Sequence, residues 1–279
     1  MTVQELVPPY FDFLIDAFQR GASGRFVHLG YWDEPPQPGD EFAPAQQRLN
    51  EKLLAMADIA AGQVILDVGC GFGGTLESIN QRGTDMRLAG VNIDARQIGI
   101  CRQLAPANGN RLRWEQADAC HLPFPAASFD RVLCIEAMFH FNSRRAFLLE
   151  AARVLKPGGM LIGSDIIVCA AARELDTPAF RIEAPLQEVY GPWPDFWCAD
   201  ADHAQLADAA GLHNPALLDA TIHTLPSHRY TAPRDVDFPR EFGNPAQHAA
   251  LILRWLHHAG HLRYPLFRFE KPEERGGGA

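Results

Sequence analysis

The chain has 279 residues, 47% hydrophobic and 21% charged, the balance of a soluble globular protein able to bury a sizeable core. Its formal net charge of −9 argues against a nucleic-acid partner, which would demand a basic face, and no stretch approaches the roughly 20 apolar residues of a membrane span. The N-terminus lacks the basic start and apolar core of a signal peptide, and the cysteines at 70, 101, 120, 134, 169 and 198 form no C-x-x-C pair, which points to reduced thiols in the cytoplasm.

Residues 3–20 place Leu6, Phe13, Leu14 and Phe18 at mixed three- and four-residue spacings and predict a helix. "RFVHLGYWDEPPQPGD" follows as an aromatic, then proline-rich loop, and 44–58 predict a second helix with Leu49, Leu53, Leu54 and Met56 inward. The pattern then turns regular. "QVILDV", "RLAGVNI", "RLRWEQAD", "FDRVLCIEA" and "KPGGMLIGSDI" read as strands, with "GTLESINQR", "ARQIGICRQLA" and "SRRAFLLEAARVL" as helices after the first, second and fourth. That alternation implies right-handed crossovers and a parallel sheet covered on both faces. Residues 170–200, rich in proline and aromatics, break the rhythm and read as an insertion. "DHAQLADAAGL" resumes as a helix, "NPALLDATI" as a strand, "PAQHAALILRWLHHAG" as a helix and "LRYPLFRF" as a last strand, before a frayed "EERGGGA".

Gly69, Gly71 and Gly74 satisfy G-x-G-x-x-G, which alone is weak evidence for a dinucleotide. Asp67 stands where the dinucleotide form has an apolar residue. A carboxylate there would repel a pyrophosphate and suits a ligand bearing a positive charge, such as an amino group. "ILDVGCGFGG", "AGVNIDARQI", "QADACHLPFPAASFDRVLCIEAMFH" and "EAARVLKPGGMLIGSD", in that order across 62–168, resemble the motifs of class I S-adenosylmethionine-dependent methyltransferases. "HLGYWD" and "IEAMFHF" are similar to the small-molecule subgroup: natural-product O- and C-methyltransferases and the sterol, tocopherol and cyclopropane-type enzymes. The resemblance implies an α/β, Rossmann-like seven-stranded sheet in the order 3-2-1-4-5-7-6, last strand antiparallel, helices on both faces. Within one methyltransferase domain over 1–279 it implies an N-terminal helical cap (1–58), a cofactor-binding core (59–169), a lid insertion (170–200) and a C-terminal part of the sheet with a helical insertion (201–279). S-adenosyl-L-methionine is the implied cofactor and S-adenosyl-L-homocysteine its product. A small-molecule acceptor is the implied partner, and a homo-oligomer stays open.

The same resemblance carries roles to single residues. Gly69 and Gly71 lie under the methionine part of the cofactor, and Asp67 bonds the loop amides or the ammonium, unless it only caps the turn. The acid usual after the second strand is replaced by Asn92, so Asn92, Gln97 and the Ile93 backbone are expected at the ribose, with Asp94 as runner-up or a plain helix cap. Asp118 matches the acid that accepts the adenine amino group, and Ala119 adds a backbone N–H. His140, at the end of the fourth strand, matches a general base for a hydroxyl acceptor, or a packed histidine. Glu136 orients the methionine end or serves a carbon methylation of an alkene or lipid; a ligand-binding protein that does not methylate is a further alternative. Tyr31 is expected on the sulfonium or the methionine carboxylate, His28 as a second acid–base group. Trp193 and Trp197, with His228 and Tyr230, are expected in the acceptor pocket, or Trp193 and Trp197 in a satellite core. "HHAGH" has loosely metal-like spacing but no acid partner, so no metal is expected and a solvated helix end is.

Overall fold

The computed structural model describes residues 7–37, 40–199, 202–232 and 244–273. The start of the first predicted helix and the "EERGGGA" tail, from Glu274 on, lie outside them. Five strands come first in the sheet: β1 (Val64–Val68), β2 (Arg87–Asn92), β3 (Arg111–Gln116), β4 (Phe129–Ile135) and β5 (Leu155–Ser164). Short β6 (Ile167–Cys169) and β7 (Trp197–Cys198) follow, then β8 (His213–Asp219), β9 (Leu262–Arg263) and β10 (Pro265–Glu270). The helices are α1 (Tyr10–Gln19), α2 (Phe42–Ala57), α3 (Gly74–Arg82), α4 (Ala95–Cys101), α5 (Arg144–Val154), α6 (Glu183–Tyr190), α7 (Asp202–Ala209), α8 (Thr221–Thr224), α9 (His228–Thr231) and α10 (Pro245–His258).

The main sheet has seven strands in the order β3-β2-β1-β4-β5-β10-β8. β1 to β5 pair in parallel, and β10 runs antiparallel to both neighbours. With β8 as the sixth sheet strand and β10 as the seventh, this is the expected 3-2-1-4-5-7-6. Side chains alternate faces along each strand, so one strand feeds two cores. Ile65, Leu133 and Ile162 pack with Leu49 and Leu53 of α2 and Ile98 of α4. Leu66, Val132 and Leu161 pack with Phe147 of α5 and Ala207 of α7 on the other side.

Caps fix where the helices begin. The Ser143 hydroxyl accepts from the Ala146 N–H at 3.1 Å to open α5, and the Asn244 side chain accepts from the Ala246 N–H ahead of Pro245 in α10. The predicted last strand, 262–269, is two. Leu262–Arg263 pairs with β6 in a small sheet, β7-β6-β9, and after the buried Tyr264 the chain joins the main sheet as β10. Asp165, between β5 and β6, is fully buried. It bonds the Arg144 guanidinium at 2.8 Å and His203 Nε2 at 2.7 Å. Arg144 also donates to the Pro194 carbonyl. The insertion is thereby pinned to the sheet by a buried charged group rather than left free as a cover. Among the described residues no helix is long and apolar enough to cross a membrane.

Candidate functional site

In a parallel sheet the carboxyl ends of the strands present a crevice in which backbone groups and loop side chains converge. Here β1 ends in the glycine loop, whose Gly69 and Cys70 N–H groups donate to the Val91 carbonyl at 2.9 and 3.0 Å. Gly69 has φ +76°, and a Cβ on it would come within 2.4 Å of the Ala137 Cβ. Gly71 has φ +52°, and a Cβ there would sit 3.1 Å from Val27. The loop is clamped between the residues after β4 and the N-terminal segment, in a conformation open chiefly to glycine.

Above it lies a cavity of about 640 Å³ that gathers Gly69, Gly71, Asn92, Ile93, Gln97 and Asp118. Ala119, Glu136, His140, His228 and Tyr230 also border it. One end is polar. The Asn92 side chain is held in place, accepting from the Asp94 N–H at 3.0 Å and donating to Gln97 Oε1 at 3.0 Å, with one N–H and one lone pair of the amide left over. That leaves the Gln97 Nε2 buried with no acceptor among the described residues. Asp118 accepts from the Cys120 N–H at 2.8 Å. Asp94 is a helix cap, accepting from the Arg96 N–H at 2.8 Å and pairing with the Arg96 guanidinium at 2.7 Å.

The other end is apolar, walled by Phe11, Leu14, Phe139, Tyr190 and Leu253. His140 stands at its edge. Its Nδ1 lies 2.5 Å from the Tyr190 carbonyl oxygen, which can only accept, so Nδ1 carries the proton and Nε2 the lone pair. Burial pushes His140 down to about 4, so the imidazole is neutral. Glu136 sits in the left-handed region at φ +51°, its N–H donating to the Ser164 carbonyl at 2.9 Å. Its Oε2 accepts from the Leu29 N–H at 2.8 Å and the Tyr264 hydroxyl at 2.5 Å, and burial pushes it up to about 7. His228 is fixed by His257. The Nε2 of His257 donates to the Thr221 carbonyl at 2.8 Å, so its Nδ1 accepts from His228 Nε2 at 3.0 Å. His257 is buried, not the solvated helix end expected of "HHAGH". Tyr230 donates to the Asp40 carbonyl at 2.8 Å and stacks on Trp32, centroids 5.5 Å apart.

Three expected residues reach neither the cavity nor the cleft beside it. Tyr31 is buried, stacked on His223 at 4.3 Å with the Lys52 ammonium 4.1 Å from its ring centroid. Trp193, 1% exposed, packs between Phe139 (4.6 Å) and Phe196 (5.3 Å). Trp197 donates its indole N–H to Glu183 at 2.8 Å within the insertion. The insertion is therefore a satellite core that lends the cavity Tyr190. Asp67 and His28 border a small adjoining cleft that shares Gly69 and Gly71 with the cavity; burial pushes Asp67 up to about 7.

Sequence reasoning missed the contribution of α1 and α10 to the wall. The signal in α1 was "YFDF". Tyr10, Phe11 and Phe13 cannot share one helical face, so the helix carries more aromatic surface than packing needs. Phe13 is left 57% exposed at the rim.

Comparison with known proteins gives this arrangement a context. A family model described as a methyltransferase domain matches residues 66–163. The methyltransferase GfsG of Streptomyces halstedii is 40% identical over 144 residues, 51% of each chain, so the match spans about half the length of that relative. The 27-O-demethylrifamycin SV methyltransferase of Amycolatopsis mediterranei is 33% identical over 215 residues, 76% of this chain and 75% of its own. Among solved structures, the [4+2]-cyclase SpnF superposes with a TM-score of 0.70 at 19% identity, covering 95% of this chain and 93% of its own, a likeness of fold.

Proposed function

This chain belongs to the S-adenosyl-L-methionine-dependent methyltransferases, and from that premise we propose that it methylates a hydroxyl of a neutral small molecule, with His140 as general base. The observation that carries the proposal is the His140 imidazole, held neutral and oriented at the apolar end of the cavity.

The residues at the polar end fit the family's cofactor. The Gln97 amide, an orphaned buried donor, suits a ribose hydroxyl together with Asn92 and the Ile93 backbone. Asp118 suits the adenine amino group, with the Ala119 N–H beside it, and the bare backbone of Gly69 and Gly71 admits the methionine part. Asp67 in the adjoining cleft suits the ammonium. Bound there, the cofactor supplies an already activated sulfonium methyl.

What remains for the protein is alignment and a proton acceptor. Holding nucleophile and methyl within about 3–3.5 Å and in line supplies much of the acceleration, and the aromatic walls do this by confining the acceptor. His140 presents Nε2 with its lone pair and is in its basic form throughout the neutral range. Its low proton affinity means that it takes the hydroxyl proton as the oxygen–carbon bond forms and the hydroxyl acidifies, rather than beforehand.

No lysine or arginine lines the cavity among the described residues, so an anionic acceptor finds no counter-charge there. That favours a neutral, largely apolar acceptor, in keeping with a relative named for 27-O-demethylrifamycin SV. Oxygen is favoured over carbon because Glu136, the group a carbon methylation would use, already commits Oε2 to Leu29 and Tyr264.

The test is His140→Ala, assayed as S-adenosylhomocysteine released with a panel of neutral, largely apolar hydroxylated small molecules. Turnover is expected to fall by about 10²–10⁴-fold, while calorimetric binding of S-adenosylhomocysteine stays within about twofold. Turnover equal to that of the unmodified chain would reject the assignment.

A further inference from the structure

The small cleft beside the main cavity, about 20 Å³, lies between the glycine loop and residues 25–28, with Arg25, His28, Asp67 and Thr75 on its walls. His28 is 5% exposed. Its Nδ1 lies 2.7 Å from the carbonyl oxygen of Leu29, which has no proton to give, so Nδ1 is the donor and Nε2 holds the lone pair. That Nε2 is buried and meets no partner among the described residues. The Asp67 carboxylate, 3% exposed, likewise receives no hydrogen bond from the described residues, and desolvation alone accounts for its raised proton affinity. Two buried acceptors that no described residue bonds form a site for a group made only of donors. Across the cleft, Arg25 donates to the Phe72 carbonyl at 2.8 Å and faces Glu77 at 3.5 Å, which keeps a guanidinium at the opposite wall.

We propose that His28 recognises the ammonium of the cofactor's amino-acid end, Nε2 accepting one N–H while the Asp67 carboxylate accepts another. The residue is thus a cofactor-recognition group rather than the acceptor-side acid–base group its aromatic neighbourhood suggests. Gly69 and Gly71 border both cleft and cavity, so a ligand whose nucleoside lies in the cavity can pass its amino-acid end over the glycines into the cleft. A neutral imidazole and a carboxylate together select an ammonium over a hydroxyl or a bare methylene, because only the ammonium offers several charge-assisted donors. The inference rests on the cofactor assignment made above.

The experiment measures calorimetric affinity for two probes: S-adenosylhomocysteine and its analogue lacking the α-amino group. His28→Leu is expected to weaken S-adenosylhomocysteine by about tenfold or more and to leave the deaminated analogue unchanged. His28→Gln, whose amide oxygen reaches about as far as Nε2, is expected to restore most of the loss. Should His28→Leu fail to fold, His28→Asn, polar but too short to reach, carries the same comparison. Equal weakening of both probes, or no weakening of either, overturns the proposal and returns His28 to a packing role. If the unmodified chain binds neither probe, the cofactor assignment itself fails.

Discussion

Gly69 offers a perturbation whose cost divides into two separable parts. Replacement by alanine must hold an L-residue at φ +76°, which costs about 1–2 kcal/mol. The new Cβ would also stand 2.4 Å from the Ala137 Cβ, while the next neighbours, two atoms of the Phe141 ring at 3.6 and 3.7 Å, are in ordinary contact. Relieving such an overlap in a packed interior costs about 1–3 kcal/mol more. Gly69→Ala is therefore expected to lose about 2–5 kcal/mol in urea unfolding and to weaken S-adenosylhomocysteine binding, because the loop can relax only toward the cavity. The steric part has one source and a remedy. In the double variant Gly69→Ala/Ala137→Gly the overlapping carbon is gone while the dihedral penalty stays. The two substitutions should then couple favourably by about 1–3 kcal/mol in a double-mutant cycle of unfolding free energies. Additivity within about 0.5 kcal/mol would show that Ala137 is not what excludes a side chain from position 69, and the account of the clamped loop would fall.

Two further outcomes follow from buried charge. Burial holds Asp67 near 7 in the free protein, and an ammonium needs the carboxylate form. S-adenosylhomocysteine binding should therefore strengthen with rising pH below 7, by up to about tenfold per unit, and level off above it. Of the groups around Asp67, His28 is already neutral and the Cys70 and Cys134 thiols are pushed up, which leaves Asp67 to change charge in the cleft; Glu136, at the cavity and also pushed up to about 7, is removed from the comparison by making it in Glu136→Gln. Calorimetry in buffers of different ionisation enthalpy should report proton release near pH 6.5 (about half a unit below the Asp67 value), and an affinity that is flat between pH 5.5 and 8 would contradict the reading. Separately, Asp165→Ala strips the counter-ion from Arg144, whose side chain is 1% exposed, and should cost about 3–5 kcal/mol in urea unfolding. A loss below about 1 kcal/mol would mean that the insertion is not anchored through this pair.

Most of the sheet could be read in advance because parallel strands buried on both faces leave nearly continuous apolar runs, as in "VIL" before Asp67 and "VLCI" after Arg131. The motifs then supplied the strand order, which local patterning does not contain. The break at Tyr264 was hidden because "LRYPLFRF" is continuous in composition, and only the partners differ: β6 for Leu262 and β5 for Leu266. The border of the cavity was legible where backbone demands are local, at Gly69 and Gly71. It was not legible where a role depends on which surface an aromatic residue meets. Trp193 and Trp197 have the composition of a pocket wall, yet one fills a gap beside Phe139 and the other satisfies its indole N–H on Glu183. The reverse holds for Phe11 and Leu14, whose helical spacing reads as ordinary core.

The Glu136 carboxylate holds Leu29 from one end of the chain and Tyr264 from the other, at a strand end midway between them. Translation delivers those partners in that order, the last after some 128 further residues. A nascent chain thus lacks that hydroxyl long after Glu136 and the glycine loop have been made. A chain cut before Tyr264 keeps every glycine and acid that borders the cavity, yet leaves the buried Glu136 carboxylate with the Leu29 N–H and without the hydroxyl that shares its Oε2.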